Sequence, residues 1–252
     1  MLFEDLTRTT FGNPTTIDGR WFPLVPGTRF VYKGTIIDDG RVPHTVVFTV
    51  TDLTKVVDGV RAVVAYDQDA TNGQIVEREI SFFAQDDAGN VWLLGEHPEE
   101  YEDGEFNAAP TWISGQAEAH AGILIRAEPA FGASWPQGWG PAVGWTDRAR
   151  VFETGSSTCV PAGCYHDVLV IDEFNPEEPD AHQLKYYAPG VGNVRVGWAG
   201  ARDEDHEVLE LMGQRVLPAA ELEQVDREAL RLERHAYQIS DVYAATEPIQ
   251  RG

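Results

Sequence analysis

From Arg29 to about Trp198, short runs rich in β-branched and aromatic residues are separated by clusters of Gly, Pro, Asn and Asp. That pattern predicts strands joined by tight turns, meandering as an antiparallel sheet. Phe30–Ile37 leads into Asp38-Asp39-Gly40, Val46–Asp52 into a loop with Asp58-Gly59, and Val60–Tyr66 into Thr71-Asn72-Gly73-Gln74. Each of these turns holds residues that tolerate the positive φ a hairpin requires. Val76–Gln85 and Val91–Gly95 flank Asp86-Asp87-Ala88-Gly89-Asn90, which looks like part of a calcium loop. The rest of that loop pattern and its closing bidentate Glu are missing, so a plain turn is expected.

Residues 96–122 read as a surface excursion, led by the acidic run Glu96–Asp103 and returning at Ile123-Leu124-Ile125. Residues 131–145 place Trp135, Trp139 and Trp145 among Gly and Pro. Arg148–Phe152, Tyr165–Phe174, Gln183–Tyr187, Val194–Trp198 and Glu207–Met212 complete the sheet. The clearest turn is in Lys185–Arg195, where two aromatics enter Pro189-Gly190 and a β-branched segment leaves.

After Pro218 the period changes. Leu222, Val225, Ala229, Leu232, Ala236 and Ile239 recur at steps of three and four, predicting a helix of about five turns with a polar tail. The expected fold is mainly β: a single large curved antiparallel sheet or half-barrel over residues 1–217. A C-terminal helix and tail over residues 218–252 then pack on the sheet or on a partner.

The charge of −22, from 41 acidic and 19 basic residues, repels phosphate backbones and anionic lipid, which argues against nucleic acid as a partner. Met1–Leu6 has neither the basic nor the apolar region of an export signal, and no apolar run approaches the roughly 20 residues of a membrane span. The expectation is no membrane insertion and a cytoplasmic protein by default, or a secreted one if a signal peptide has been removed. Cys159 and Cys164 bracket Val160-Pro161-Ala162-Gly163, a turn that a disulfide could cross. Two free thiols are the preferred reading, because a short loop gains little from closure and cytoplasmic thiols stay reduced.

Three segments resemble a bacterial family of uncharacterised all-β proteins. They are Trp21-Phe22-Pro23-Leu24-Val25-Pro26-Gly27-Thr28-Arg29-Phe30-Val31-Tyr32, Asp87-Ala88-Gly89-Asn90-Val91-Trp92 and Tyr186-Tyr187-Ala188-Pro189-Gly190-Val191-Gly192. Members look like single curved antiparallel sheets, loosely similar to lipoprotein-carrier folds, and the resemblance extends over residues 10–212. Its motifs are turn motifs, so it implies a fold and carries over no catalytic residue. Many of the similar proteins look exported, which weighs against the cytoplasmic default. The chain departs from the family pattern at the Trp-rich loop, the cysteine-flanked turn and the C-terminal helix.

No Gly-flanked Ser elbow or activated Cys is present, which disfavours the usual hydrolases. None of the seven His stands at a ligand spacing from another, so no metal and no cofactor are expected. If neighbouring strands did assemble a metal set, it would be His166, His182 and Asp172; surface imidazoles are the plainer reading. For acid–base chemistry the candidates are Glu173, Lys185, His166 and His182, with Glu173 and Lys185 otherwise a surface cross-strand ion pair. Trp112, Trp135, Trp139, Trp145 and Tyr186 are the candidate walls of a pocket for a hydrophobic or aromatic small molecule. The same Trp residues would otherwise plug the end of the sheet as core.

Three functions stay open at this stage. The first is a small-molecule binding protein with a Trp-lined pocket. The second is a cofactor-free cyclase, isomerase or dehydratase using one acid/base residue in that pocket. The third is an interaction module or homo-oligomer joined through Leu222, Val225, Ala229 and Leu232.

Overall fold

The structure, a computed structural model, describes residues 3–37, 40–176, 180–200 and 206–251; the expected turn at Asp38-Asp39 lies outside them. The strands are β1 (Thr28–Ile37), β2 (Arg41–Val57), β3 (Val60–Thr71), β4 (Gln74–Gln85), β5 (Val91–Glu102), β6 (Glu105–Ala108), β7 (Trp112–Ile113) and β8 (His120–Ile125). They continue with β9 (Trp135–Pro136), β10 (Gly138–Trp139), β11 (Arg148–Val160), β12 (Gly163–Phe174), β13 (His182–Ala188), β14 (Gly192–Ala199), β15 (Val208–Val216) and β16 (Gln250–Arg251). Helices α1 (Ala219–Ile239) and α2 (Asp241–Ala244) lie between β15 and β16.

All of the strands join one curved antiparallel sheet, ordered β10-β8-β5-β4-β3-β2-β1-β15-β14-β13-β12-β11-β9. Asp58-Gly59 and Asn72-Gly73 adopt the positive φ that their two-residue hairpins need. Among the described residues β14 and β15 pair at Arg195↔Glu210 and Val196↔Leu209. Its terminal strands β9 and β10 are separated in sequence by Gln137 alone, so the Trp-rich loop joins the two ends of the sheet. The Trp135 indole N–H reinforces this by donating to the Ile123 carbonyl at 2.8 Å.

The sheet has two unlike faces. On the outer face, Val225, Ala229, Leu232 and Ala236 of α1 are buried in the core shared with the sheet, so the apolar stripe of the helix finds its cover within the chain. Lys55 of β2, fully buried, donates to Glu233 at 3.3 Å and to the Glu247 carbonyl, and lies 4.4 Å from the Tyr243 ring. Glu233 also accepts from Tyr243 (3.3 Å) and from the Ile249 amide (2.7 Å). The expected polar tail is therefore a docked segment, ending in β16 paired with β2. Among the described residues no helix is long and apolar enough to cross a membrane.

Two further expectations are corrected. Residues 96–102 continue β5, and a third hairpin turn, Asp103-Gly104, follows them. The acidic run looked like surface because five of its eight residues are acidic, yet His97 and Glu99 are buried on the outer face, where His235 of α1 meets Glu99 at 2.6 Å. Cys159 and Cys164 are not free thiols: they face each other across the β11–β12 hairpin with Cα atoms 4.0 Å apart and form a disulfide. The calcium-like segment is a turn, in which Asp86 accepts from the Ala88 and Asn90 amides and from the Trp92 indole.

Candidate functional site

Strand parity sets what the inner face shows, because alternate residues point to opposite sides. Val46 and Phe48 of β2, Asp67 and Asp69 of β3, and Glu79, Ser81 and Phe83 of β4 all face inward. Leu93 and Glu96 of β5 do too, their spacing adjusted by a bulge opposite Phe82 and Phe83. Gly95 sits at that bulge with φ +148°, and a Cβ there would lie 2.7 Å from the Trp112 carbonyl oxygen. From the other half of the sheet, Glu173, Lys185, Tyr187, Val196 and Leu209 close a cavity of about 580 Å³. Trp145 roofs one part, stacked on Trp112 at 4.7 Å. Gly138 fits against this indole pair, where a Cβ would come within 2.6 Å of both rings.

Among the described residues the lining holds seven carboxylates, from Asp67, Asp69, Glu79, Glu96, Asp147, Glu173 and Glu207, and one cation, Lys185. Asp67 lies directly across from Glu79, and Asp69 from Glu77, an arrangement of like charges that is unfavourable when all are ionised. Burial, reinforced by neighbouring acids, pushes Asp67 and Glu79 upward and Glu77 up to about 8; burial also raises Asp69, against the hydrogen bond from His44 and with Glu207 adding to it. Burial likewise raises Glu96 to about 7, against the Trp112 indole N–H that donates to it at 2.8 Å.

Lys185 is paired with Glu173 at 2.7 Å. Burial opposes its charge, but Glu173, Glu207 and Asp147 outweigh that and hold it above the ordinary lysine value. The second Glu173 oxygen accepts from Gln137 (2.7 Å) and lies 3.5 Å from the Tyr187 hydroxyl. Gln137 also donates to the Leu124 carbonyl at 3.1 Å, tying the Trp-rich loop to both ends of the sheet.

At another part of the wall, Asp69 and Glu207 meet the buried His44, whose Nε2 is 3.5 Å from Asp69 and 3.4 Å from Glu207. Its Nδ1 lies 2.9 Å from the Thr71 hydroxyl. Burial disfavours the imidazolium, yet Asp69 and Glu207 prevail and lift His44 to about 9.

The residues singled out in the sequence separate into two groups. Glu173, Lys185 and Trp145 come together on the cavity wall, and Trp112 backs Trp145. Trp135 is buried under the loop, and Trp139 packs beside Phe3 at 5.6 Å. Tyr186 points outward with Val168, Val170 and Leu184, and the Arg195 guanidinium lies 5.5 Å from its ring; its neighbour Tyr187 is the cavity residue. His182 binds Asp172 at 2.8 Å on the outer face, where Arg150 holds the other carboxylate oxygen. His166 stands apart near the start of β12, exposed beside Ser157, so His166, His182 and Asp172 do not converge. The inward acids escaped the sequence reading, although Asp67-x-Asp69 and Glu77-x-Glu79 alternate within two strands joined by a two-residue turn.

No protein-family model matches this chain, and no curated protein matches it. Two solved structures are similar to it. One is a candidate exported protein with a YmcC-like fold from Bacteroides fragilis, 15% identical, with a TM-score of 0.42 over 78% of this chain and 99% of that one. The other is a candidate lipoprotein from Parabacteroides distasonis, 16% identical, with the same TM-score and coverage.

Proposed function

We propose that this protein binds a small molecule with an apolar or aromatic body and a cationic amine head, held inside the curved sheet. The observation that carries this reading is a surplus of acid in the wall of a cavity of about 580 Å³: Lys185 is matched by Glu173 and His44 by Asp69 and Glu207, while Asp67 and Glu79 face each other across β3 and β4 with Glu96 close to Glu79. Buried carboxylates without counter-charge are costly, and an ammonium group both compensates them and donates hydrogen bonds. Phe48, Phe83, Trp145 and Tyr187 supply apolar area and ring faces for the rest of such a ligand. A purely apolar ligand would strip water from the acids and return nothing.

Calorimetry with phenethylamine, and with phenylethanol as its neutral counterpart, tests the reading. The amine is expected to bind at least about 10-fold tighter, a difference of about 1.4 kcal/mol. Glu79→Gln should erase much of that preference. Equal affinity for the alcohol, or no amine binding beside a native mass that shows a neutral passenger, would overturn it.

A second reading, cofactor-free acid–base chemistry, is supported by Glu96, which at about 7 exchanges its proton near neutral pH beside Lys185. It requires turnover of a bound amine that Glu96→Gln abolishes while binding survives. Docking through α1 has less to stand on, since Val225, Ala229 and Leu232 are already buried against the sheet.

A further inference from the structure

The geometry points to a binding site for a divalent transition-metal ion formed by His44 Nε2, Asp69 Oδ2 and Glu207 Oε1. The inference goes beyond the amine reading and does not depend on it. Among the described residues this is the group of three metal-type donors that converge, all ligand atoms lying within 4.8 Å of one another.

The spacing is the first argument. A charge-assisted N–H···O⁻ contact closes to about 2.7–2.9 Å, whereas His44 Nε2 stands 3.5 Å and 3.4 Å from its two carboxylates. Around a tetrahedral ion with Zn–N of about 2.0–2.1 Å and Zn–O of about 2.0–2.2 Å, neighbouring ligand atoms fall about 3.3–3.5 Å apart. The contacts are long for hydrogen bonds and right for the edges of a coordination shell.

Orientation is the second. His44 is only 4% exposed, and with Nδ1 bonded to Thr71 Oγ1 at 2.9 Å its ring is fixed so that Nε2 faces the carboxylates. A metal-ligating imidazole is ordinarily held in this way through its other nitrogen. The backbone builds the arrangement rigidly: His44 pairs with Thr71 and Val46 with Asp69 across β2 and β3, and Glu207 stands immediately before β15.

Charge and donor type are the third. A divalent ion would take the place of the His44 proton, leaving two carboxylates and a neutral imidazole whose two negative charges it cancels, and a buried nitrogen donor favours Zn²⁺ or Co²⁺ over Ca²⁺ and Mg²⁺. Asp69 and Glu207 also line the cavity, so the ion would form part of its wall. The remaining coordination position would go to water or to a donor atom of a ligand.

The test is titration of the full chain, first stripped with chelator, with Zn²⁺ and separately with Ca²⁺. One tight Zn²⁺ per chain is expected, with Ca²⁺ much weaker. His44→Gln and Asp69→Asn should each weaken Zn²⁺ by about 100-fold or more, and Thr71→Val by about 10-fold through the ring orientation alone. Co²⁺ added to the unaltered chain should give intense visible bands of low-coordinate cobalt, a readout that survives even if a variant fails to fold. Absence of stoichiometric Zn²⁺ binding, a folded His44→Gln that binds as tightly, or the weak spectrum of aqueous Co²⁺ would each overturn the site. Amine binding measured on the stripped chain keeps the two hypotheses separate.

Discussion

On the outer face of the sheet Lys55 and Glu233 are buried together, one charge against one charge, and Glu247, Tyr243 and Ile249 of the segment they anchor supply further hydrogen bonds. On the inner face, acids outnumber the single lysine and face one another across β3 and β4. The same residue types are thus balanced where they are fully buried and hold the C-terminal segment, and unbalanced where the sheet encloses space and leaves them part-exposed. Balance marks a fastening; the excess is what the amine proposal rests on.

The sharpest way to break this comparison is to remove one partner on each side. Lys55→Met leaves Glu233 buried without its cation and should cost about 3–5 kcal/mol in urea unfolding. Adding Glu233→Gln to that variant should restore part of the loss. An outer face that tolerates Lys55→Met would show that the pair is ornamental.

The inner face should respond to pH with the opposite sense. Glu96 is raised to about 7 in the folded chain, mainly by burial, against an ordinary value of 4.5. The unfolded state therefore releases its proton first as pH rises. Its contribution to stability is full below about 4.5, falls between 4.5 and 7 and is lost above that. At most about 3.5 kcal/mol is involved, from about 1.4 kcal/mol per pH unit. Glu96→Gln, which keeps an acceptor for Trp112, should flatten that part of the stability profile.

Smaller still, Glu79→Gln relieves the repulsion with Asp67 and should leave the chain as stable or more stable by about 1 kcal/mol at pH 8. A clear loss of stability there would mean that the inner acids are structural after all. The exposed pair Arg227–Glu223 on α1, 3.2 Å apart, supplies the baseline: Arg227→Ala should change stability by less than about 0.5 kcal/mol.

The architecture was legible because its signals are local. Asp58-Gly59 and Asn72-Gly73 mark hairpins by residue type alone, and the three- and four-residue period after Pro218 marks α1. Asp103-Gly104 offered the same signal and would have extended β5, but the charges of Glu96–Asp103 made the segment read as solvent-facing. The site was less legible, because charge at alternate strand positions suggests water, while here the outer face is covered by α1 and the acids line the enclosed side. Glu173 and Lys185 were found through strand adjacency. Tyr186 was grouped with Lys185 although neighbouring residues on a strand point to opposite faces, and Tyr187 is the one that faces the cavity. The His44, Asp69 and Glu207 cluster needed two strands in register and the residue that leads into a third, and no spacing along the chain could announce it.

One consequence of the Trp-rich loop concerns girth. Because Trp135-Pro136 and Gly138-Trp139 are fastened to opposite ends of the sheet with Gln137 between them, a clasp five residues long sets how far those ends can part. For a ligand of the kind proposed above, that length would cap the girth the sheet can enclose. Lengthening the clasp by a few glycines should relax the cap without altering a side chain of the cavity wall.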